Sequence, residues 1–162
     1  LNEDYEAALG PARRLAALGG QDAEAAAAHG MAAEAMGLTD EAVAAFLRGA
    51  DLDPHRLDLR ERAAGLQLHL GDYREAEINF RRLLKAEPRH VSAFLGLADA
   101  IWQDFATDPG GRPSDESRRR LDEAGELIDR VITAHRDQGR ATDNLAAWRG
   151  QVASARAEIT DR

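Results

Sequence analysis

Apolar residues recur along most of this chain at spacings of three and four, the pattern of a helix with one buried stripe. It is clearest in the stretch 73–86, where Ala76, Phe80, Leu83 and Leu84 share a face. A worn copy lies upstream, with Ala42, Val43, Phe46 and Ala50 on the corresponding face. Gly37 and Gly71 are 34 residues apart, as are Ala42 and Ala76, Phe46 and Phe80, and Pro54 and Pro88. Strand-like alternation is never sustained, so the fold class is all-α. The pattern predicts helices at about 4–18, 23–36, 40–52, 57–70, 73–86, 91–104, 115–135 and 142–159.

The punctuation between these stretches agrees with the period. Gly71 suits the left-handed residue that ends a helix. Asp72 can cap the next helix, with Glu75 as a capping-box partner, and Pro88 stops it. Gly37, Thr39 as cap and Pro54 do the same work one period earlier.

Small, large and proline residues at these places resemble the tetratricopeptide repeat, a helix–turn–helix unit of about 34 residues. The resemblance implies an α-solenoid of antiparallel helix pairs. One repeat falls at 23–56, a second at 57–90 and a third at 91–138, the last with an insertion at about 104–117. Gly30, Ala64 and Ala98 take the small-residue place where paired helices approach. Phe94, Leu97, Ala98 and Ile101 match the first helix of the third repeat. Asp4 and Ala8 lie 34 before Leu38 and Ala42, so 1–22 fits the second half of a preceding repeat. The chain therefore reads as a fragment of a longer array.

Several positions depart from the family's pattern. Arg60 and Ala26 stand where a large aromatic is usual, and Leu83 and Gly49 where alanine is usual. The second helix of the third unit, 122–135, arrives 14 residues late, with Arg136 in place of proline. After Gly139, Thr142 offers a cap for a helix striped by Leu145, Trp148, Val152, Ala155 and Ile159. That helix, 139–162 with its turn, reads as a cap on the array, or alternatively as the first helix of a fourth repeat; Trp148 is expected to be buried.

Composition narrows the function. Of 162 residues 44% are hydrophobic but only 5% aromatic, so cores must be alanine-rich. A net charge of −8 argues against a nucleic-acid partner. Without cysteine there is no disulfide, zinc–thiolate site or thiol nucleophile. No apolar run approaches the ~20 residues that span a bilayer. Arginine outnumbers the single Lys85 by 20 to one, which reads as genome composition rather than a binding device.

Chemistry is sought and not found. His29, His55, His69, His90 and His135 form no metal-ligand spacing, so no metal or cofactor is expected. His55 and His90 belong to turns, and His29 and His69 to first helices. Asp108 to Gly111 reads as a turn, and Arg118 to Arg120 as a solvated first turn or, in a second reading, a docking patch. The Pro/Gly/Ser/Asp-rich insertion is read as a mobile surface loop, or alternatively a recognition loop. These observations exclude no fold but leave no catalytic constellation, so the chain is expected to be non-enzymatic.

The resemblance implies an inner wall of first-helix residues that do not pack inward. By the repeat register it carries Glu24, Ala27, Met31 and Glu34, then Asp58, Glu61, Arg62, Leu68 and His69, then Leu95, Asp99 and Trp102. Of the lysine, arginine and asparagine clamp with which one subclass grips acidic chaperone tails, only Arg62 is present. Five acids to one base, beside Met31, Leu68, Leu95 and Trp102, suit a peptide or amphipathic helix that is basic on one side. The implied role is an adaptor for another protein; the alternative is a structural or self-associating module of a larger one.

Overall fold

The computed structural model describes residues 2–18, 22–108 and 113–159. Among them are eight helices and no strand. They are α1 (Asn2–Leu18), α2 (Ala23–Ala35), α3 (Thr39–Leu52), α4 (Leu57–Leu70), α5 (Tyr73–Ala86), α6 (Val91–Thr107), α7 (Ser114–Asp137) and α8 (Asp143–Glu158). The chain divides into two units, Leu1–Leu70 and Gly71–Arg162, so the helices of the 57–90 stretch fall one in each. Within each unit every helix packs on its sequence neighbour. Their short connections make such neighbours antiparallel.

In the first unit the packing centres on Phe46, which is fully buried. Its ring lies on Gly30 of α2, where an added Cβ would come within 2.6 Å of it. The Arg62 guanidinium of α4 covers it from 5.1 Å. Around it the core is mostly alanine, with Ala27, Ala33, Ala42, Ala50 and Ala63 joined by Leu9 of α1 and Leu59 of α4. Ala27, expected on the inner wall, is therefore a core residue. The departures from the repeat pattern have local reasons. Gly49 admits Leu59, whose Cδ1 would meet a Cβ there at 2.8 Å. Arg60 reaches back to Asp51 of α3 at 2.7 Å.

The second unit repeats the device with larger side chains. Phe80 of α5 lies on Gly96 of α6, where a Cβ would meet the ring at 2.2 Å. On α7, Ala124, Ile128 and Val131 are fully buried and take the places of Ala76, Phe80 and Leu83. The late arrival of that helix is thus real. The insertion, however, is not a long loop. α6 runs on to Thr107 and α7 begins at Ser114, so most of the extra sequence adds helical turns. Ser117 and Leu121 in those turns are buried. Arg120 donates to Glu77 of α5 at 2.8 Å and to Asp104 of α6 at 3.1 Å. Burial pushes the Glu77 carboxyl up, but hydrogen bonds from Arg120 and Arg81 outweigh it and hold it below its usual value. Arg118 donates to the Ile159 carbonyl at 2.5 Å. The triple arginine is accordingly more than a solvated turn. Of the turn expected at Asp108 to Gly111, within an insertion read as mobile, all but Asp108 lies outside the described residues.

Helix ends follow the glycine and proline signals more closely than the cap signals. Gly37 has a φ of 73° and closes α2 with two bonds, its own N–H to the Glu34 carbonyl and that of Leu38 to the Ala33 carbonyl. This arrangement is a Schellman motif. It leaves Leu38, not Thr39, at the N-cap of α3. Asp72 and Thr142 do occupy N-cap positions, but neither side chain bonds the helix, and the expected Asp72–Glu75 capping box is not formed. Their ψ values of 57° and 5° are outside the extended region that caps need. His90 is an N-cap that the sequence did not suggest: its Nδ1 accepts from the Ala93 N–H at 3.3 Å. Gly139, at a φ of 67°, ends α7. α8 buries Val152, while Trp148 is half-buried; among the described helices α8 packs chiefly on α7.

A charged cluster ties α1 to the next two helices. Arg13 of α1 and His29 of α2 both meet Glu41 of α3, the histidine Nε2 at 2.6 Å. Hydrogen bonds from Arg13 and then His29 pull the Glu41 carboxyl from 4.5 down to about 2. Since the folded chain favours the ionised form, this contribution is complete above the ordinary carboxylate range and disappears as pH falls from 4.5 towards 2. Denaturant unfolding should therefore show that Glu41→Gln loses less stability than the parent protein over that interval. The same measurement should show Phe80→Ala costing about 3–5 kcal/mol. Ala76→Leu, which overpacks a fully buried site, should cost about 1–3 kcal/mol.

Candidate functional site

The residues expected to face a partner lie on three helices, two in the first unit and one in the second. On α2 and α4, Glu24, Met31, Asp58, Arg62 and His69 are exposed, and Glu34, Glu61 and Leu68 are half-buried. On α6, Leu95, Asp99 and Trp102 are half-buried.

The first-unit face is knitted together by arginine. Arg56, in the turn before α4, donates to Glu24 of α2 at 2.7 Å and to both carboxylate oxygens of Asp58 at 2.9 and 3.0 Å. The hydrogen bond from Arg56 holds the Asp58 carboxyl below its ordinary value. Arg62 donates to Glu34 at 2.6 Å while stacking over Phe46. The structure thus brings Glu24 to Asp58 and Glu34 to Arg62. It adds Arg56, which the count of five acids to one base omitted. The period itself offered the signal, since Arg56 closes the turn that Pro54 opens.

Met31 is the large apolar residue most open on this face, at 44% exposure. Among the described residues, no arginine pairs with the corresponding acid of the second-unit face, Asp99. Asp99 accepts from the neutral Gln103 amide at 3.2 Å and forms no ion pair among the described residues. The Trp102 ring lies 6.1 Å from that of Phe105, one helical turn on. Among the described residues, no three His, Cys, Asp or Glu side chains are placed to hold a metal ion. None of the described helices is long and apolar enough to cross a membrane.

Replacing Arg56 by Gln should let the Asp58 carboxyl rise towards its ordinary value of 3.8. A carboxyl titration followed by NMR reads this directly, and an unmoved Asp58 would mean that the pair does not form in solution.

The tetratricopeptide repeat family profile matches residues 23–56, the span of α2, α3 and their turns. No curated protein matches the chain. Among solved structures, the chain is similar to MamA 41-end from Desulfovibrio magneticus RS-1, with a TM-score of 0.57 and 18% identity over 96% of this chain and 88% of that one. A crystal structure of MamA gives a TM-score of 0.57 and 12% identity, covering 96% of this chain and 90% of that chain. MamA MSR-1 C2 gives 0.53 and 17%, covering 96% and 88%. At such identities the likeness is one of fold. Residues 23–56 thus match the tetratricopeptide repeat, and the chain that holds them shares the helical fold of these MamA structures.

Proposed function

We propose that the chain is a non-enzymatic scaffold whose first-helix faces bind a peptide or amphipathic helix of another protein. The observation that carries this reading is the pairing of open apolar surface with an unneutralised acid on α6. Trp102 offers a large, half-buried anchor, and among the described residues Asp99 one turn earlier is met only by a neutral amide. A partner that places an aliphatic or aromatic side chain on Trp102 and an Arg or Lys on Asp99 uses both. Met31 and Leu68 provide the corresponding apolar surface on the first unit. There, Arg56 and Arg62 already occupy Glu24, Asp58 and Glu34, so charge selects less and shape more.

Charge and anchor should separate kinetically. The acid governs encounter and its salt dependence, and the buried aromatic governs residence. A displayed library of random peptides, panned against the intact protein, supplies the ligands for the test. Recovered peptides should lose at least about tenfold in affinity on Trp102→Ala, mainly through faster dissociation. Asp99→Asn should instead slow association and flatten its salt dependence. Peptides that bind equally well to Trp102→Ala and Met31→Ala variants would place the binding surface elsewhere and remove this reading.

A further inference from the structure

We propose that the second unit carries another docking surface, the cleft between α5 and α7, which takes an amphipathic helix of a partner protein with acids along one flank and bases along the other. Two adjoining hollows of about 420 and 770 Å³ form it. Both are floored by Phe94 of α6, and the Arg130 guanidinium of α7 lies 5.3 Å from the centre of that ring. The two walls are joined at one end by Arg81 of α5 and Glu123 of α7, 2.6 Å apart. From that pair the α7 wall runs to Asp137, about 21 Å at 1.5 Å per residue, the length of a four-turn helix.

The walls carry opposite charge. Lys85 and Arg89 line the α5 side, and Glu126 and Asp137 line the α7 side. None of these four has an ion-pair partner among the described residues. Arg81, Glu123 and Asp129 nearby are all paired. Two cations without an ion-pair partner therefore face two such anions, and Arg130, a third cation of the cleft, is drawn over the Phe94 ring of its floor. Like-charged flanks on a partner would be repelled by one wall, whereas oppositely charged flanks are attracted by both.

A partner helix is favoured over an extended strand for a backbone reason. The walls are helices whose N–H and C=O groups are used internally, so they offer no ladder to a strand. A helix brings its own backbone bonds and presents only side chains. This surface is also separate from the one proposed above. On α6, Phe94 and Leu97 line the cleft, and Leu95, Asp99 and Trp102 lie further round the helix, at about 100° per residue.

The test uses a synthetic helical peptide of about 14 residues, with Glu along one flank, Arg along the other and Leu and Phe between them. It is titrated against the intact protein by fluorescence anisotropy. Binding should weaken at least about tenfold in Lys85→Glu/Arg89→Glu. It should recover when the Glu flank of the peptide is changed to Arg, and should be unaffected by Trp102→Ala. Lys85 and Arg89 are exposed, and circular dichroism of the double variant verifies its fold. Absence of binding to the parent protein, or binding indifferent to the double variant, overturns the proposal. So does sedimentation showing that the protein self-associates and that the double variant abolishes it, because the cleft would then belong to a second copy.

Discussion

The contact on which each unit depends is a phenylalanine of one helix lying on a glycine of another. Phe46 on Gly30 and Phe80 on Gly96 leave no room for a Cβ at either glycine. A glycine inside a helix costs about 1 kcal/mol relative to alanine, so its presence there needs a packing reason. The ring supplies it: each glycine lets two helices close on an aromatic side chain in a protein that has few of them. Ala42 and Ala76, fully buried one turn before each ring, keep the same approach narrow. Register follows, because a helix shifted by one residue would put a side chain where the ring must go.

With little aromatic surface to fix one helix against the next, arginine does much of the cross-linking. Arg13, Arg56, Arg62, Arg81 and Arg120 each reach a carboxylate on another helix. Several engage two acids or both oxygens of one, as Arg56 does with Asp58. A planar guanidinium can hold such a fork, and an ammonium cannot. The arginine excess, which composition alone assigns to the genome, therefore has a structural use. Exposed single pairs contribute little to stability. Networks such as that of Arg120, Glu77 and Arg81 are better shielded, and they secure the extended ends of α6 and α7.

The helices were legible from the chain because their signals are local. Gly37 and Gly71 adopt the left-handed conformation that no β-branched or bulky residue tolerates well, and Pro54 and Pro88 follow helix ends as expected. What escaped depends on partners far along the sequence. The extra turns of α6 and α7 are held by Glu77, on another helix, and by burial of Leu121. Caps failed where the backbone was set otherwise: the Schellman motif at Gly37 puts Leu38 at the N-cap of α3, and Asp72 and Thr142 have ψ values outside the extended region. Of the first-helix positions read from the period, Ala27 turned out to be core, and the charge balance could not be read at all, since Arg56 lies in a turn. The α5–α7 cleft left no periodic signature, because its walls are ordinary solvated helix faces until α7 is set opposite α5.

The alanine-rich interior of the first unit has a thermodynamic consequence. A buried alanine removes far less apolar area from water than the Ile, Leu and Phe side chains that fill the second unit, among them Phe80, Leu97, Ile101, Leu121 and Ile128. The heat-capacity change of unfolding tracks exposed apolar area, and so does the susceptibility to denaturant. Residue for residue, α1 to α4 thus have the flatter stability curve and the shallower denaturant response, while α5 to α8 respond more steeply to both temperature and urea.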